Sequence, residues 1–151
     1  MMGDISDSFS LKEFLCPCGR CPTSKELTVH PKLLMACQTI RNEEGVPIKV
    51  NSGARCLYYN QRTTGAAPSS WHIPRPIGND VFLYVSDITY SDPGLRTPEN
   101  IIRLYVRADQ VLEGAHGLGL YHGRIHLDFR PEGRARWVHV GWSWSNFSTS
   151  L

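Results

Sequence analysis

Two stretches of the chain carry the residue types that do chemistry. The first runs from Asn51-Ser52-Gly53-Ala54-Arg55 through Trp71-His72 to Asp80, and offers an arginine, a histidine and a carboxylate in a polar segment rich in Gly and Pro. The second runs from Gly117-Leu118-Gly119-Leu120-Tyr121 to His126 and Asp128. Two neutral imidazoles and one carboxylate make a ligand set suited to catalytic zinc, which keeps its fourth position open for water. Such an ion lowers the pKa of bound water towards 7 and polarises a scissile carbonyl. A nearby carboxylate then takes the proton and passes it to the leaving amine. His126 and Asp128 are two apart in a strand-like run, so they share a face. Asp128 is then either the base or a partner that holds an imidazole from behind. Arg55 suits a carboxylate, which a guanidinium grips with two parallel bonds. His122 lies at a turn near this group and is a candidate substrate contact. Taken singly, each residue has a plainer explanation: a packed histidine, a solvated turn arginine, and, for Asp80, an acid at the start of a strand.

The elements that must position these residues are legible in the pattern. Pro31 to Glu44 reads as a helix, with Pro31 at its first position and Gly45 just past its end. Val46 to Asn51 alternates as a strand, and Ser52 to Arg55 follows as a turn at its end. Leu57 to Gln61 is a short helix and Thr63 to Pro68 a loop. Asp80 to Val85 is a strand, while Pro74 and Pro76 keep the residues before it irregular. Thr97 caps a second helix that opens with Pro98 and Glu99 and ends near Gln110. Gly117 to Tyr121, Arg124 to Phe129 and Ala135 to Val140 read as a meander turning at His122-Gly123 and Pro131-Glu132-Gly133. Phe9, Leu11, Phe14 and Leu15 anchor the N-terminal segment, and a tail with Trp142, Trp144 and Phe147 closes the chain. The expected class is α+β, a small antiparallel sheet with helices on one face.

With 151 residues, 41% hydrophobic and 20% charged, the chain has the profile of one globular domain. A net charge of +2 argues against a nucleic-acid partner, which calls for a concentrated basic stripe. The arginines at 124, 130, 134 and 136 are interrupted by Asp128 and Glu132 and read as a solvated, mixed-sign edge. No run of about 18 apolar residues marks a membrane span. Met1 to Ser10 lacks the apolar run of a signal peptide, so synthesis and folding in a cytoplasm are expected, as a monomer.

The five cysteines (16, 18, 21, 37, 56) are odd in number, unlike a secreted disulfide framework. Cys16, Cys18 and Cys21 fall within six residues. They could bind zinc if a fourth ligand such as His30 or Cys56 arrives from elsewhere, since structural zinc wants four closed ligands. A disulfide with one free thiol is an alternative. A tight turn of small, half-buried thiols is the plainest reading. Cys37 lies on the apolar face of the first helix, as inert packing.

Several elements in order resemble a known family. Val50-Asn51-Ser52-Gly53-Ala54-Arg55-Cys56 with Tyr59-Asn60 resembles an "SGYR…YN" element. Ser70-Trp71-His72 leading to Asp80 resembles Ser-x-His-x-x-Gly-x-Ala-x-Asp. Gly117 to Tyr121, Ile125-His126-Leu127-Asp128 and Arg134-Ala135-Arg136-Trp137 resemble "GxGxY…HxD…RxxW". These are elements of the zinc D-Ala-D-Ala carboxypeptidases and peptidoglycan endopeptidases, whose fold is shared with the hedgehog signalling domain. Phe14 to Cys21 is similar to a cysteine-bearing segment of some members.

The resemblance implies Zn2+ held by His72, Asp80 and His126. It also implies Arg55 on a substrate carboxylate or backbone, and Asp128 as base or orienter. Ser70 and Tyr121 lie in the matching elements and join Arg55 and His122 as candidate substrate contacts. The base that some relatives carry three residues before the last histidine falls here on Gly123. The family puts seven steps between the first histidine and the aspartate, and His72 to Asp80 is eight, with Gly78 at the small-residue position and Pro76 at the usual glycine position. The implied activity is hydrolysis of a peptide bond in the peptidoglycan stem peptide, as a carboxypeptidase or endopeptidase, in a phage-type lytic or virion-associated enzyme acting on the cell wall. The shifted spacing supports an alternative: a degenerate module of the same fold with a structural or binding role, such as a phage tail component.

Overall fold

Two single turns of 3-10 helix, Leu11–Glu13 and Pro22–Ser24, lead the chain into the short strand β1 (Thr28–Val29) and the helix α1 (Pro31–Glu44). The computed structural model describes residues 3–62, 69–77, 80–131 and 133–139. The expected loop at Thr63 to Pro68, Gly78, Glu132 and the aromatic tail from Gly141 onward lie outside the described residues. Helix α1 begins and ends where its punctuation says. Pro31 fits the first position because its missing N–H has no partner to lose. Gly45 closes the helix at φ 71°, a left-handed conformation that glycine adopts without steric cost. Leu33, Ala36, Cys37 and Ile40 form its buried face.

The chain continues through β2 (Ile48–Ser52), α2 (Leu57–Arg62), β3 (Arg75–Ile77), β4 (Asp80–Leu83) and β5 (Val85–Tyr90). A 3-10 turn at Pro93–Leu95 precedes α3 (Pro98–Val111), and β6 (Gly117–Tyr121), β7 (Arg124–Asp128) and β8 (Ala135–Val138) complete the described elements. Thr97 caps α3 as expected, its hydroxyl accepting from the Asn100 N–H at 3.2 Å.

Five strands pair in the order β2-β5-β7-β6-β8, and three in the order β1-β4-β3. The α+β class therefore holds, with three refinements. Arg75–Ile77 is a strand where two prolines predict irregular chain; β3 is an outer strand, where a residue without an N–H is tolerated. The single strand expected from Asp80 to Val85 is two, because the chain leaves the small sheet after Leu83 and joins the large one at Val85. The expected meander also breaks at its end: β8 pairs in parallel with β6 rather than antiparallel with β7.

Side chains alternate across the large sheet. Ile88, Leu118, Leu120, Ile125 and Leu127 are fully buried on the face that α3 covers, and α3 in turn packs on α1. Ser86 lies on this face too, its hydroxyl 3.4 Å from the Cys37 thiol of α1. The N-terminal segment is stitched to the fold by Phe9 and Phe14, both fully buried. Its backbone also pairs with the end of β2, where the Ala54 N–H donates to the Phe14 carbonyl at 2.8 Å. The other face of the large sheet carries the polar residues.

Candidate metal centre and cleft

Asp87 on β5 stands directly opposite His126 on β7, which places their side chains side by side. His72 arrives from outside the sheet, in the turn that precedes β3. Three hydrogen bonds fix that turn. The Arg55 N–H donates to the His72 carbonyl at 2.7 Å, the His72 N–H donates to the Ser70 hydroxyl at 3.2 Å, and the His72 ring meets the Gly53 carbonyl at 2.7 Å through Nδ1. The result is a buried triad: His72 Nε2 lies 3.2 Å and His126 Nδ1 3.0 Å from the same oxygen, Asp87 Oδ1.

The outer partners decide the tautomers. A carbonyl only accepts, so Nδ1 of His72 carries the proton and Nε2 presents a lone pair. His126 faces a carboxylate through each ring nitrogen, Asp128 through Nε2 at 2.8 Å and Asp87 through Nδ1 at 3.0 Å; in the tautomer that donates from Nε2–H to Asp128, Nδ1 presents a lone pair. Two nitrogen lone pairs and a carboxylate oxygen thus face one another, an arrangement that repels itself unless a cation sits among them. His72, Asp87 and His126 therefore fit a metal ion in donor type and direction. Without a metal, positive charge on the imidazole side of the cluster takes that place. Burial opposes charge on Asp87, yet the two imidazoles hold its carboxyl well below the usual range. Burial likewise disfavours protonated His126, but the carboxylates of Asp128 and Asp87 on either side raise its pKa.

Asp128 is fully buried. Its Oδ1 accepts from the Arg130 N–H at 3.1 Å and Nε at 2.7 Å, and its Oδ2 accepts from Arg130 Nη2 at 2.7 Å. Burial opposes its charge as well, and Arg130 and His126 keep its pKa low. Every direction around this carboxylate is committed, so of the two roles open to it, the geometry fits the orienter of His126 and not the base.

Two glycines clear the space. A Cβ on Gly117 would strike the Asp128 carboxylate, and one on Gly119 would strike the Trp137 indole. Gly119 lies between His126 and Trp137 in the register, and the bare backbone lets the indole reach to 5.0 Å from the His126 ring. The Gly-x-Gly pattern is therefore a requirement of the polar face.

The triad lies in a cleft of about 480 Å³. Arg55 lines it, with Nη2 3.7 Å from Asp87 Oδ2 and Nε donating to Ser52 at 3.2 Å. Ser70 and Tyr121 also line it; Tyr121 accepts from the Trp137 indole N–H at 2.9 Å. His122 is exposed at the β6–β7 turn and is not among the lining residues.

The structure brings His72 and His126 together and leaves Asp80 out. Asp80 is exposed at the start of β4, in the small sheet, beside Thr28 and Val81. The carboxylate in the triad is Asp87. The physical reason is the β3–β4 hairpin, which lies between His72 and the strand that returns to the site; counting along the chain stops one strand too early. A signal for Asp87 exists: it is an acid inside the β-prone run Val85-Ser86-Asp87-Ile88-Thr89-Tyr90, all of it buried, and a buried acid needs a partner.

Sequence reasoning also placed Arg124 and Arg130 on a solvated edge, yet both line the cleft. Arg124 lies over the Tyr121 ring, 4.6 Å from its centroid, with Nε 3.5 Å from Asp87 Oδ2. Arg130 sits between the indoles of Trp71 and Trp137, 5.6 and 5.3 Å from their centroids. His139 is at the cleft too, its ring stacked 5.0 Å from Tyr121.

No curated protein and no solved structure matches the chain. A family model described as Peptidase M15 matches residues 7–128, a span that contains all three residues of the triad. Peptidases of that family are zinc-dependent, in keeping with a donor set that calls for a cation. The chain belongs to the peptidase M15 family.

Proposed function

We propose that this protein is a zinc peptidase that hydrolyses a peptide bond of the bacterial peptidoglycan stem peptide, as a carboxypeptidase or endopeptidase of the phage lytic or virion-associated kind. The observation that carries the proposal is the convergence of His72 Nε2, Asp87 Oδ1 and His126 Nδ1 at an arginine-lined cleft. Zinc bound to these three atoms supplies an acidified water and a polarised carbonyl.

The chain's own residues do the rest. Gly53 and Asp128 hold the two imidazoles in their ligand tautomers. Arg130 keeps Asp128 ionised and still. Arg55 and Arg124 line the cleft next to Asp87 and suit the carboxylates of a stem peptide, with Ser70 and Tyr121 also lining it. Trp71 and Trp137 wall the cleft and limit water. Asp87 and Asp128 are both committed, so no carboxylate among the described residues lining the cleft is left to act as base. Outside the triad, His139 is an imidazole that lines the cleft, stacked on Tyr121, and it is the group proposed to carry the proton.

The degenerate-module alternative drew on the spacing from His72 to Asp80, and with Asp87 in the triad that ground falls away. Digestion of purified peptidoglycan by the zinc-loaded protein, read by mass spectrometry, tests the proposal. One new free amine and carboxylate per cut, at a single stem-peptide bond, is the expected product. Unchanged fragments with a protein shown to hold zinc at the triad would rule out this substrate.

A further inference from the structure

A second cluster of ligand-type residues lies outside the cleft. Cys16, Cys18 and Cys21 of the N-terminal segment meet Cys56, the residue preceding α2, and their four sulfur atoms all lie within 4.8 Å of one another. None is in a disulfide. The approach of Cys56 Sγ to Cys18 Sγ is 3.9 Å. Four thiolates around zinc at about 2.3 Å form a tetrahedron whose edges are about 3.8 Å, so this spacing fits a shared ion. His30, the other candidate for a fourth ligand, caps α1 instead, its Nδ1 accepting from the Lys32 N–H at 3.2 Å.

The backbone around the cluster is arranged for sulfur anions. The N–H groups of Arg20 and Cys21 both donate to Cys18 Sγ at 3.4 Å. The Cys56 N–H donates to Cys16 Sγ at 3.3 Å, and the Tyr59 N–H donates to Cys56 Sγ at 3.4 Å. The Thr23 hydroxyl lies 3.2 Å from Cys21 Sγ. Gly19, at φ 71° with open space where a Cβ would be, lets the chain fold back so that Cys18 and Cys21 face the same point. Loose thiols in a turn have no need of inward N–H groups at three of the four sulfurs.

We propose that Cys16, Cys18, Cys21 and Cys56 form a structural zinc site, separate from the triad, that clamps the N-terminal segment to the loop carrying the active-site residues. Four closed ligands leave no place for water, so the site holds shape and does no hydrolysis. What it holds is specific. Cys56 directly follows Arg55, and the same loop gives Gly53 O to His72 and donates its Ala54 N–H to the Phe14 carbonyl. The clamp therefore supports the turn that sets the His72 tautomer. Zinc binding here releases thiol protons.

The test uses a variant that removes the triad as a metal site, His72→Ala with Asp87→Asn and His126→Ala, so that failure of the peptidase proposal and failure of this one stay distinct. Elemental analysis is expected to find two zinc ions per chain in the unaltered protein and one in the variant. Replacing that remaining ion with cobalt is expected to give the strong near-ultraviolet charge-transfer absorption of thiolate ligands. A variant that folds by circular dichroism yet takes up neither zinc nor cobalt overturns the proposal, and so does a cobalt spectrum without thiolate absorption. If the triple variant fails to fold, the unaltered protein decides. Titration with a mercurial that caps thiols should release one of the two ions while the triad keeps the other. A mapped disulfide among the four cysteines, or a full complement of zinc after all four are capped, overturns it.

Discussion

The Nδ1–H of His72 donates to the Gly53 carbonyl across 2.7 Å. This bond selects the nitrogen that His72 offers to a metal, and it depends on residue 53 being glycine. A Cβ there would lie 2.6 Å from the Phe14 backbone, so Gly53→Ala must push the loop away from the N-terminal segment. The expected outcome is a zinc affinity at the triad lower by roughly 10–100-fold, the usual cost of disturbing a group that orients a ligand. Competition with a chelator of known affinity measures it. Phe14→Ala, which empties a fully buried position, is expected to cost roughly 3–5 kcal/mol in denaturant unfolding.

Asp87 and Asp80 make a matched pair of tests. Asp87→Asn should abolish tight zinc binding at the triad, since a neutral amide replaces the buried carboxylate between two imidazoles. Asp80→Asn, at an exposed position of the small sheet, should leave zinc content and peptidase activity unchanged. Zinc loss on changing Asp80 instead of Asp87 would reverse the assignment.

Asp128→Asn separates an orienting role from a catalytic one. Because the carboxylate is enclosed by Arg130 and His126, the variant should bind zinc about 10–100-fold more weakly and recover most of its rate when zinc is added in excess. A rate that stays down by about 10²–10⁴ with zinc saturated is the signature of a lost base and would return that role to Asp128.

Arg55→Lys should retain zinc and lose substrate. The ammonium carries the charge but not the two-pronged geometry. The expected signature is a raised KM if the contact is equally strong in the ground and transition states, and a lowered kcat if it tightens during reaction. An unchanged kcat/KM removes Arg55 from substrate binding.

The thiols should react in a fixed order in metal-stripped protein. The Arg20 and Cys21 N–H groups bring the Cys18 pKa down to about 6, so at neutral pH it is largely thiolate and alkylates early; its rate falls as the pH drops through that value. Burial pushes Cys37 up to about 12, and it should remain unmodified until the chain unfolds. Peptide mapping after timed alkylation reads both. Early labelling of Cys37 would mean that α1 does not seal its core.

The parts of the fold that sequence made legible share a local cause. Helices α1 and α3 are bounded by Pro31, Gly45, Thr97 and Pro98, whose effects act within a turn of where they stand. The β6–β7 hairpin turns at Gly123, whose φ of 76° is likewise a local demand. His72 and His126 were recognisable because each sits in a short, dense motif.

What sequence did not convey is non-local. The pairing of β8 with β6 depends on the edge β6 leaves open, and nothing in Ala135 to Val138 encodes that choice. With the β3–β4 hairpin in between, the carboxylate lies one strand further along, so Asp80 matches the expected spacing more closely while Asp87 holds the position. Arg124 and Arg130 looked solvated because charge patterning along a strand does not reveal that one face of it lines a cleft.

The separation of the triad along the chain has a consequence for how the molecule is made. His126 is 39 residues from Asp87, and His72 is 15 from it across an intervening hairpin. No short peptide can assemble the proposed metal site, because its side chains converge only when the β5–β7 ladder has closed, and such long-range pairing forms late and slowly. Newly synthesised chains must therefore reach a nearly complete sheet before they can take up zinc there. In a refolding experiment the triad should gain its metal after the sheet signal is complete, at a rate that added zinc does not speed.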